Sequence, residues 1–401
     1  MKANLKSGFK AKCFIAICIC FASSYKIGYA SLNNGMSDNF NLLKQKSAGR
    51  YINALKAGAR GNGINDDAPI LQKLIDSLGN LGGGTVFLPK GVYLLNSNKG
   101  SIVLSLRSRV NIQGEGDNSI LKLGDSLEIK RSGLRLLYFQ KLKNDKVLTD
   151  VMYSNFLIDC NGSKNIPVSK ALAKTYKGTA IGGQESNNVN INNISVINNA
   201  GRNTFAFSAT GQDLGVKKIT IQNCTVRNVA RGVVGNDVQN DHSVVYLRGD
   251  SCIVKNNKFT NDILKTGATA IELHCTNTVI TNNFIQNFSK GFNVAAIVND
   301  ASNVTITNNT LRGVYTCAML WVLNGHHADN IKITNNDIEA YGGLYTMFDL
   351  QTQVKFPYSN VYIQGNTVTI HGNKTMASKI NILKGDHDDL KASGNKFIPV
   401  N

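Results

Sequence analysis

The chain has 401 residues, 42% of them hydrophobic, with 37 glycines, only 5 prolines and an aromatic share of 7%. That is enough apolar material for a core, and the abundance of Gly and Asn suits many short strands joined by tight turns. The formal net charge of +18 favours a polyanionic partner, and no segment beyond the first thirty residues is long and apolar enough to span a bilayer as a helix.

In chain order, the first element reads as an export leader. Lys2, Lys6, Lys10 and Lys12 precede an apolar run from Cys13 to Ala22, and Gly28-Tyr29-Ala30 offers a cleavage site near Ala30. A signal peptide over 1–30 implies a secreted or periplasmic protein with no membrane attachment after its removal. Five lysines leave with it, so the mature chain 31–401 keeps a charge near +13. An exported basic protein meets acidic polysaccharide more readily than nucleic acid, and no nucleic-acid partner is expected. Cys160, Cys224, Cys252, Cys275 and Cys317 remain. Their odd number forbids complete internal pairing, and their spacing fits no metal site.

Residues 57–95 read as an N-terminal cap and first coil of one long domain. Asn65, Asp66 and Asp67 supply acceptors for the free N–H groups of a helix start, and Pro69 fits its first turn. Ile70, Leu71, Leu74, Ile75 and Leu78 form one apolar stripe at helical spacing. Such a helix would close an open end of a solenoid, so Asp66 and Asp67 are read as capping groups rather than a catalytic pair. The run Ala57-Gly-Ala-Arg-Gly-Asn-Gly-Ile-Asn-Asp-Asp67, followed by Gly82-Gly-Gly-Thr-Val-Phe-Leu-Pro-Lys-Gly-Val-Tyr-Leu94, closely resembles the opening of the pectate-lyase-like superfamily. Polygalacturonases, phage tailspikes and mannuronan epimerase modules share it. The resemblance implies a right-handed parallel β-helix, a polysaccharide ligand and, as in the tailspikes, a possible homotrimer. Some members use calcium, so calcium stays open as a cofactor although no calcium motif appears, and no other cofactor is expected.

Residues 126–177 break the rhythm of the chain and carry Lys130, Arg131, Arg135, Lys141, Lys143, Lys146, Lys164, Lys170, Lys174 and Lys177. They are expected to form a basic loop insertion that walls a groove and attracts an anionic polymer, with Lys130, Arg131 and Arg135 contacting it. From residue 180 to 401 one motif recurs: apolar, any, apolar, any, then Asn or Gly. Its fifth position falls at Asn193, Asn223, Asn256, Asn282, Asn308, Asn335, Gly365 and Gly394, in steps of 26 to 33 residues. Alternation places Val304 and Ile306 inward, and Asn tolerates the left-handed turn that ends each strand. Stacked coils would set Asn over Asn as a ladder of amides. The expected fold is therefore all-β, a right-handed parallel β-helix with an N-terminal capping helix.

Counting back from the repeat markers aligns two coils. Val245 and Leu247 match Ile271 and Leu273 as inward residues, so Tyr246, Arg248, Glu272 and His274 share the outer face. Asp241 and His242 stand on the turn that enters it, Asp300 falls at the same offset in the next coil, and His326, His327 and Asp349 lie further on, while His371 and His387 stand alone. The group fits β-elimination from a uronic acid. Arg248 would neutralise the sugar carboxylate, His274 or Tyr246 would take the α-proton, Tyr246 would protonate the leaving oxygen, and Glu272 would orient His274 or bind a cation. Asp241, His242 and Asp349 would bind substrate. An inverting hydrolase is the alternative, since one coil and a two-residue offset put Glu272 and Asp300 at about 8 Å. A non-catalytic carbohydrate-binding or exopolysaccharide-assembly protein is the third reading. The polygalacturonases' Asn-Thr-Asp, Asp-Asp, Gly-His-Gly and Arg-Ile-Lys elements and the epimerases' Asp-Pro-His motif have no match here.

Overall fold

The computed structural model describes residues 49–96, 101–127, 134–141, 146–165, 178–209, 215–229, 242–262, 268–341, 347–352, 358–371, 380–383 and 389–400. The leader expected over 1–30 lies outside them. Among the described residues thirty strands join into one sheet system, and the pairings run parallel from coil to coil. The result is the expected right-handed β-solenoid, of about nine turns.

The repeat motif builds it as its chemistry requires. Ile191, Ile221, Val254, Ile280, Ile306, Ile333 and Ile363 stack in register, all buried, and form one aliphatic column of the core. The marker residues Asn193, Asn223, Asn256, Asn282, Asn308 and Asn335 all sit at φ between 53° and 57°. Asn reaches this left-handed region at low cost because its short side chain bonds locally. Where the marker is Gly365 or Gly394, φ is 65° and glycine meets the same demand. The five described cysteines are buried, unpaired and packed in the interior.

The amide ladder stands one residue further along than the motif suggests. Asn257, Asn283, Asn309, Asn336 and Asn366 are buried; the Oδ1 of each of the last four accepts from the backbone N–H and the Nδ2 of the Asn before it in the ladder, and Asn257 Oδ1 accepts from the Cys224 N–H. The marker turns the chain, so the residue after it points inward, where its amide has no water to fall back on. Asn308 itself is exposed.

The capping helix spans Ala68–Asn80 and buries Ala68, Leu71, Leu74, Ile75 and Leu78, with Pro69 in its first turn. It packs on the strands Gly84–Leu88 and Ile102–Ser105 of the first coils. Asp66 caps it by accepting from the N–H of Ala68. Asp67 instead gives its carboxylate to the N–H groups of Arg60 and Gly61, which pins the preceding loop. Of the three acceptors expected at the helix start, Asp66 alone bonds it; Asp67 serves the loop, and Asn65 accepts from Asn62 Nδ2.

Residues 126–177 are less loop-like than their broken rhythm implies. The strands Arg135–Phe139 and Leu148–Asp159 run through them in register with the regular coils. Lys130, Arg131, Lys143, Lys170, Lys174 and Lys177 lie outside the described residues.

Candidate functional site

One sheet of the solenoid contains Arg135–Phe139, Thr179–Gln184, Asn203–Ser208, Ser243–Asp250, the first part of Thr269–Thr281, Lys290–Ala296, Thr316–Val322 and Phe348–Thr352. Its outer face carries one row formed by Ala206, Tyr246, Glu272, Asn293, Met319 and Asp349, and a second row beside it containing Ser208, Arg248 and His274. Tyr246 therefore aligns with Glu272, and Arg248 with His274, as the repeat count requires.

The group is tighter and drier than a solvated charge row. His274 is 4% exposed, and the Glu272 side chain 15%. The Tyr246 and His274 rings lie 5.3 Å apart at 47°. Glu272 bridges two neighbours: Oε1 stands 3.1 Å from His274 Nε2, and Oε2 accepts from the Ser243 hydroxyl at 2.5 Å. Burial pushes the Glu272 carboxyl up, but the bonds from His274 and Ser243 outweigh it and hold the group below its ordinary value. An ionised Glu272 fixes the proton of His274 on Nε2, where it donates, and leaves the Nδ1 lone pair free. Nδ1 is buried and has no hydrogen-bond partner. Arg248 is held by the Asn299 side chain and the Ala209 carbonyl, both at 3.3 Å, and Asn299 also donates to the His274 carbonyl.

Those clamps come from unequal corners. Tyr246 and Asp250 align with Glu272 and Thr276 four residues on, so these two coils turn the corner directly. The next coil needs nine residues from Asn293 to Ser302, five more, and the stretch 297–300 between its strands stands beside Arg248 and His274 as a wall. That surplus also displaces Asp300. Counting back from the marker put it next to His274 in the following coil, but the registers Glu272–Asn293 and Leu273–Val294 bring the strand Lys290–Ala296 to that place, and Asp300 sits on the corner. There it lies 3.2 Å from His326 Nδ1 and accepts from the His327 N–H. Asp300 therefore does not take the place one coil on and two residues along from Glu272 that the hydrolase reading gave it. Phe292, Val294 and Ala296 alternate inward, and that alternation is the signal that identifies Asn293 as the outward neighbour of Glu272.

The remaining candidates scatter. Asp349 lies in the Glu272 row three strands on, about 14 Å away at sheet spacing. Arg135 covers the Tyr138 ring at 4.5 Å, three strands before Ser243, so it does not join the group. His327 Nε2 lies 2.8 Å from Ser359 Oγ, which donates to Asp329. His371, expected to stand alone, lies 2.9 Å from Glu339. Asp241 and His387 are outside the described residues.

His242, expected to contact substrate, is 1% exposed and points inward, with Nδ1 donating to the Gly201 carbonyl. Burial lowers its pKa to about 4, against a weaker upward pull from Gly201. Unfolded, the ring takes its proton near 6.5. In between, the unfolded chain binds more protons, so stability is full above pH 6.5 and is lost as pH falls toward 4. The loss from pH 6.5 to 5 is about 2 kcal/mol. His242→Gln should flatten that part of the curve, read from urea midpoints at the two pH values, and an unchanged slope would put the acid sensitivity elsewhere.

Comparison with known proteins agrees with this architecture. Mannuronan C5-epimerase AlgE1 of Azotobacter vinelandii is 33% identical over 115 residues, which are 28% of this chain and 8% of that protein. Alginate lyase 7 of the same organism is 35% identical over 82 residues, 19% of this chain and 9% of that one. The chain thus spans less than a tenth of either relative. A mutant tailspike protein of E. coli bacteriophage HK620, solved in complex with a pentasaccharide, has a TM-score of 0.72 at 17% identity, over 88% of this chain and 63% of that one. This likeness shows the fold. The family described as Rhamnogalacturonase A/epimerase, pectate lyase-like, matches residues 51–320. With more than half its length so matched, and with its coils, cap and outward rows in place, the chain belongs to that pectate-lyase-like family.

Proposed function

We propose that the protein acts on a uronate-containing acidic polysaccharide and cleaves it by β-elimination at the Tyr246–Arg248–Glu272–His274 group. The observation that carries this reading is the state of His274: buried, with Nε2 on Glu272 and Nδ1 unpartnered, in register with a guanidinium. The α-hydrogen of a uronate is too weakly acidic while its carboxylate keeps full charge. Arg248 is placed to neutralise it with a planar fork. His274 Nδ1 then takes the proton, the C–O bond to the leaving sugar breaks as the C=C bond forms, and the Tyr246 hydroxyl protonates the departing oxygen. Proton return from imidazolium to phenolate resets the pair. Ser243, which the sequence did not single out, holds Glu272 in place.

The relatives support the substrate class, since a mannuronan epimerase and an alginate lyase are named for uronate polymers. The basic balance of the chain supports it too. Export after loss of the leader belongs to the same reading. Hydrolysis is the weaker alternative, because the one carboxylate on the strands next to Glu272, Asp250, aligns with Thr276 four residues along, about 13 Å away by strand rise.

Incubation with alginate, polygalacturonate and other acidic polysaccharides tests the proposal. Absorbance of the unsaturated uronate is expected to rise together with new reducing ends. Reducing ends without absorbance would establish hydrolysis instead, and polymer retention with neither signal would leave a binding protein. No cofactor is assigned, since Arg248 supplies the neutralising charge. An absolute requirement for added calcium in the same assay would overturn that part.

A further inference from the structure

We infer that the turn 323–327 is a positioning element for the Tyr246–His274 group, and that Asp300 and His326 act through Asn299 to set where Arg248 stands against His274. The inference rests on the functional reading above and deepens it, by naming what controls the geometry of its cation and its base.

The coils of Tyr246 and Glu272 turn their common corner in four residues, and the coil of Asn293 takes nine. A longer connection has more conformational freedom to lose, so it aims nothing unless something ties it down. Here it is tied at both ends, and both ties come from one short turn on the next coil. At the start of the wall, Asn324 Nδ2 donates to the Ile297 carbonyl at 3.1 Å. At its end, Asp300 Oδ1 accepts from the His327 N–H at 2.9 Å and lies 3.2 Å from His326 Nδ1. Between those ties stands Asn299. Its Nδ2 donates to the Asp300 and His274 carbonyls, and its Oδ1 accepts from Arg248 Nε. The one side chain that touches both Arg248 and the His274 backbone is therefore anchored on either side.

The sequence Asn324-Gly325 is what lets the turn do this. Asn324 lies at φ 59° and Gly325 at φ 76°, and the His326 N–H closes the turn on the Leu323 carbonyl at 3.1 Å. Two successive left-handed residues make a tight reversal, and Asn-Gly reaches it at low cost. The reversal delivers His326 and His327 together onto Asp300. The far side is braced as well, since His327 Nε2 lies 2.8 Å from Ser359 Oγ, and that hydroxyl donates to Asp329. His326 thus reaches back to the wall and His327 forward to the following coil. The Asp300 side chain is 64% exposed and that of His326 29%, so their contact contributes little to stability. Its value is positional. A displacement near 1 Å at a reacting centre can cost about 10²-fold in rate.

Initial rates of unsaturated-product formation, read together with a nitrogen–proton spectrum of the labelled protein, test the inference. Asp300→Ala should lower kcat about tenfold and change KM by less than about threefold, with the urea midpoint unmoved. Asp300→Asn keeps an acceptor for the His327 N–H and should recover most of the rate. His326→Ala, which leaves that backbone bond in place, should cost less than Asp300→Ala. Asn324→Ala releases the other end of the wall and should repeat the loss. On an Asn299→Ala background, Asp300→Ala should cost less than about twofold more, because the side chain it acts through is gone. The Arg248 Nε–H resonance, identified by its loss in Arg248→Lys, should shift in Asp300→Ala and return in Asp300→Asn, a response that needs no turnover. Wild-type kcat in Asp300→Ala, an undiminished loss on the Asn299→Ala background, or an unmoved Arg248 resonance would overturn the inference and leave the functional reading standing. If the wild-type protein cleaves no uronate polymer while the resonance still follows Asp300, the functional reading fails and the hold of the turn on Arg248 stands.

Discussion

Arg248→Ala is expected to lower the rate of polymer cleavage by about 10²–10³-fold, because it removes the charge that makes the α-proton acidic. His274→Gln is expected to cost about 10²–10⁴-fold, the usual worth of a positioned base. Glutamine is the better probe at 274, since its amide can still donate to Glu272, whereas alanine would leave a mostly buried carboxylate without that partner. Arg248→Lys separates charge from shape. It keeps a cation but loses the fork, and it cannot reproduce the bonds to Asn299 and Ala209 that aim the guanidinium. Its rate should fall between wild type and alanine. Initial rates of unsaturated-product formation measure all three, with circular dichroism confirming the fold. Wild-type rates in both Arg248→Ala and His274→Gln would mean that the chemistry lies elsewhere on the solenoid.

The fold was legible because the solenoid repeats one local problem. Each coil must turn at a left-handed residue and bury an alternating apolar pair, so Asn308 and Val304-Thr-Ile306 carry the same message as Asn335 and Ile331-Lys-Ile333. The Tyr246–Glu272 and Arg248–His274 alignments were legible for the same reason: two consecutive coils have equal corners. Asn293 was hidden, and Asp300 misplaced, because the corner at 297–300 is longer and offsets counted from the marker no longer measure position on the sheet. Corner length leaves no periodic trace. His242 failed for another reason. A histidine next to a strand reads as a turn residue, and only the packed structure shows its ring turned toward the Gly201 carbonyl. The repeating strands thus fix where side chains can stand, and the irregular corners decide which of them meet.

The interior Asn ladder sets the rigidity on which that arrangement depends, and Asn309→Ala should damage it most. Asn309 Oδ1 is the acceptor for both the backbone N–H and the Nδ2 of Asn283, at 2.9 Å each. Its Nδ2 donates to the Ile280 and Thr307 carbonyls and to Asn336 Oδ1. Alanine leaves the Asn283 N–H buried without an acceptor and several carbonyls short of a donor, a cost of about 3 kcal/mol. The neighbouring Asn308 gives the control. It is exposed at φ 57°, so alanine there costs about 1 kcal/mol in backbone strain and glycine close to nothing. Urea unfolding should rank the variants in that order. Because each coil contacts only its neighbours, the break should also fall locally. Hydrogen exchange in Asn309→Ala is expected to rise first in the coils on either side of 309, while the capping helix Ala68–Asn80 keeps its protection. Equal destabilisation by Asn308→Ala and Asn309→Ala would show that the turn, and not the amide ladder, is what holds the coils in register.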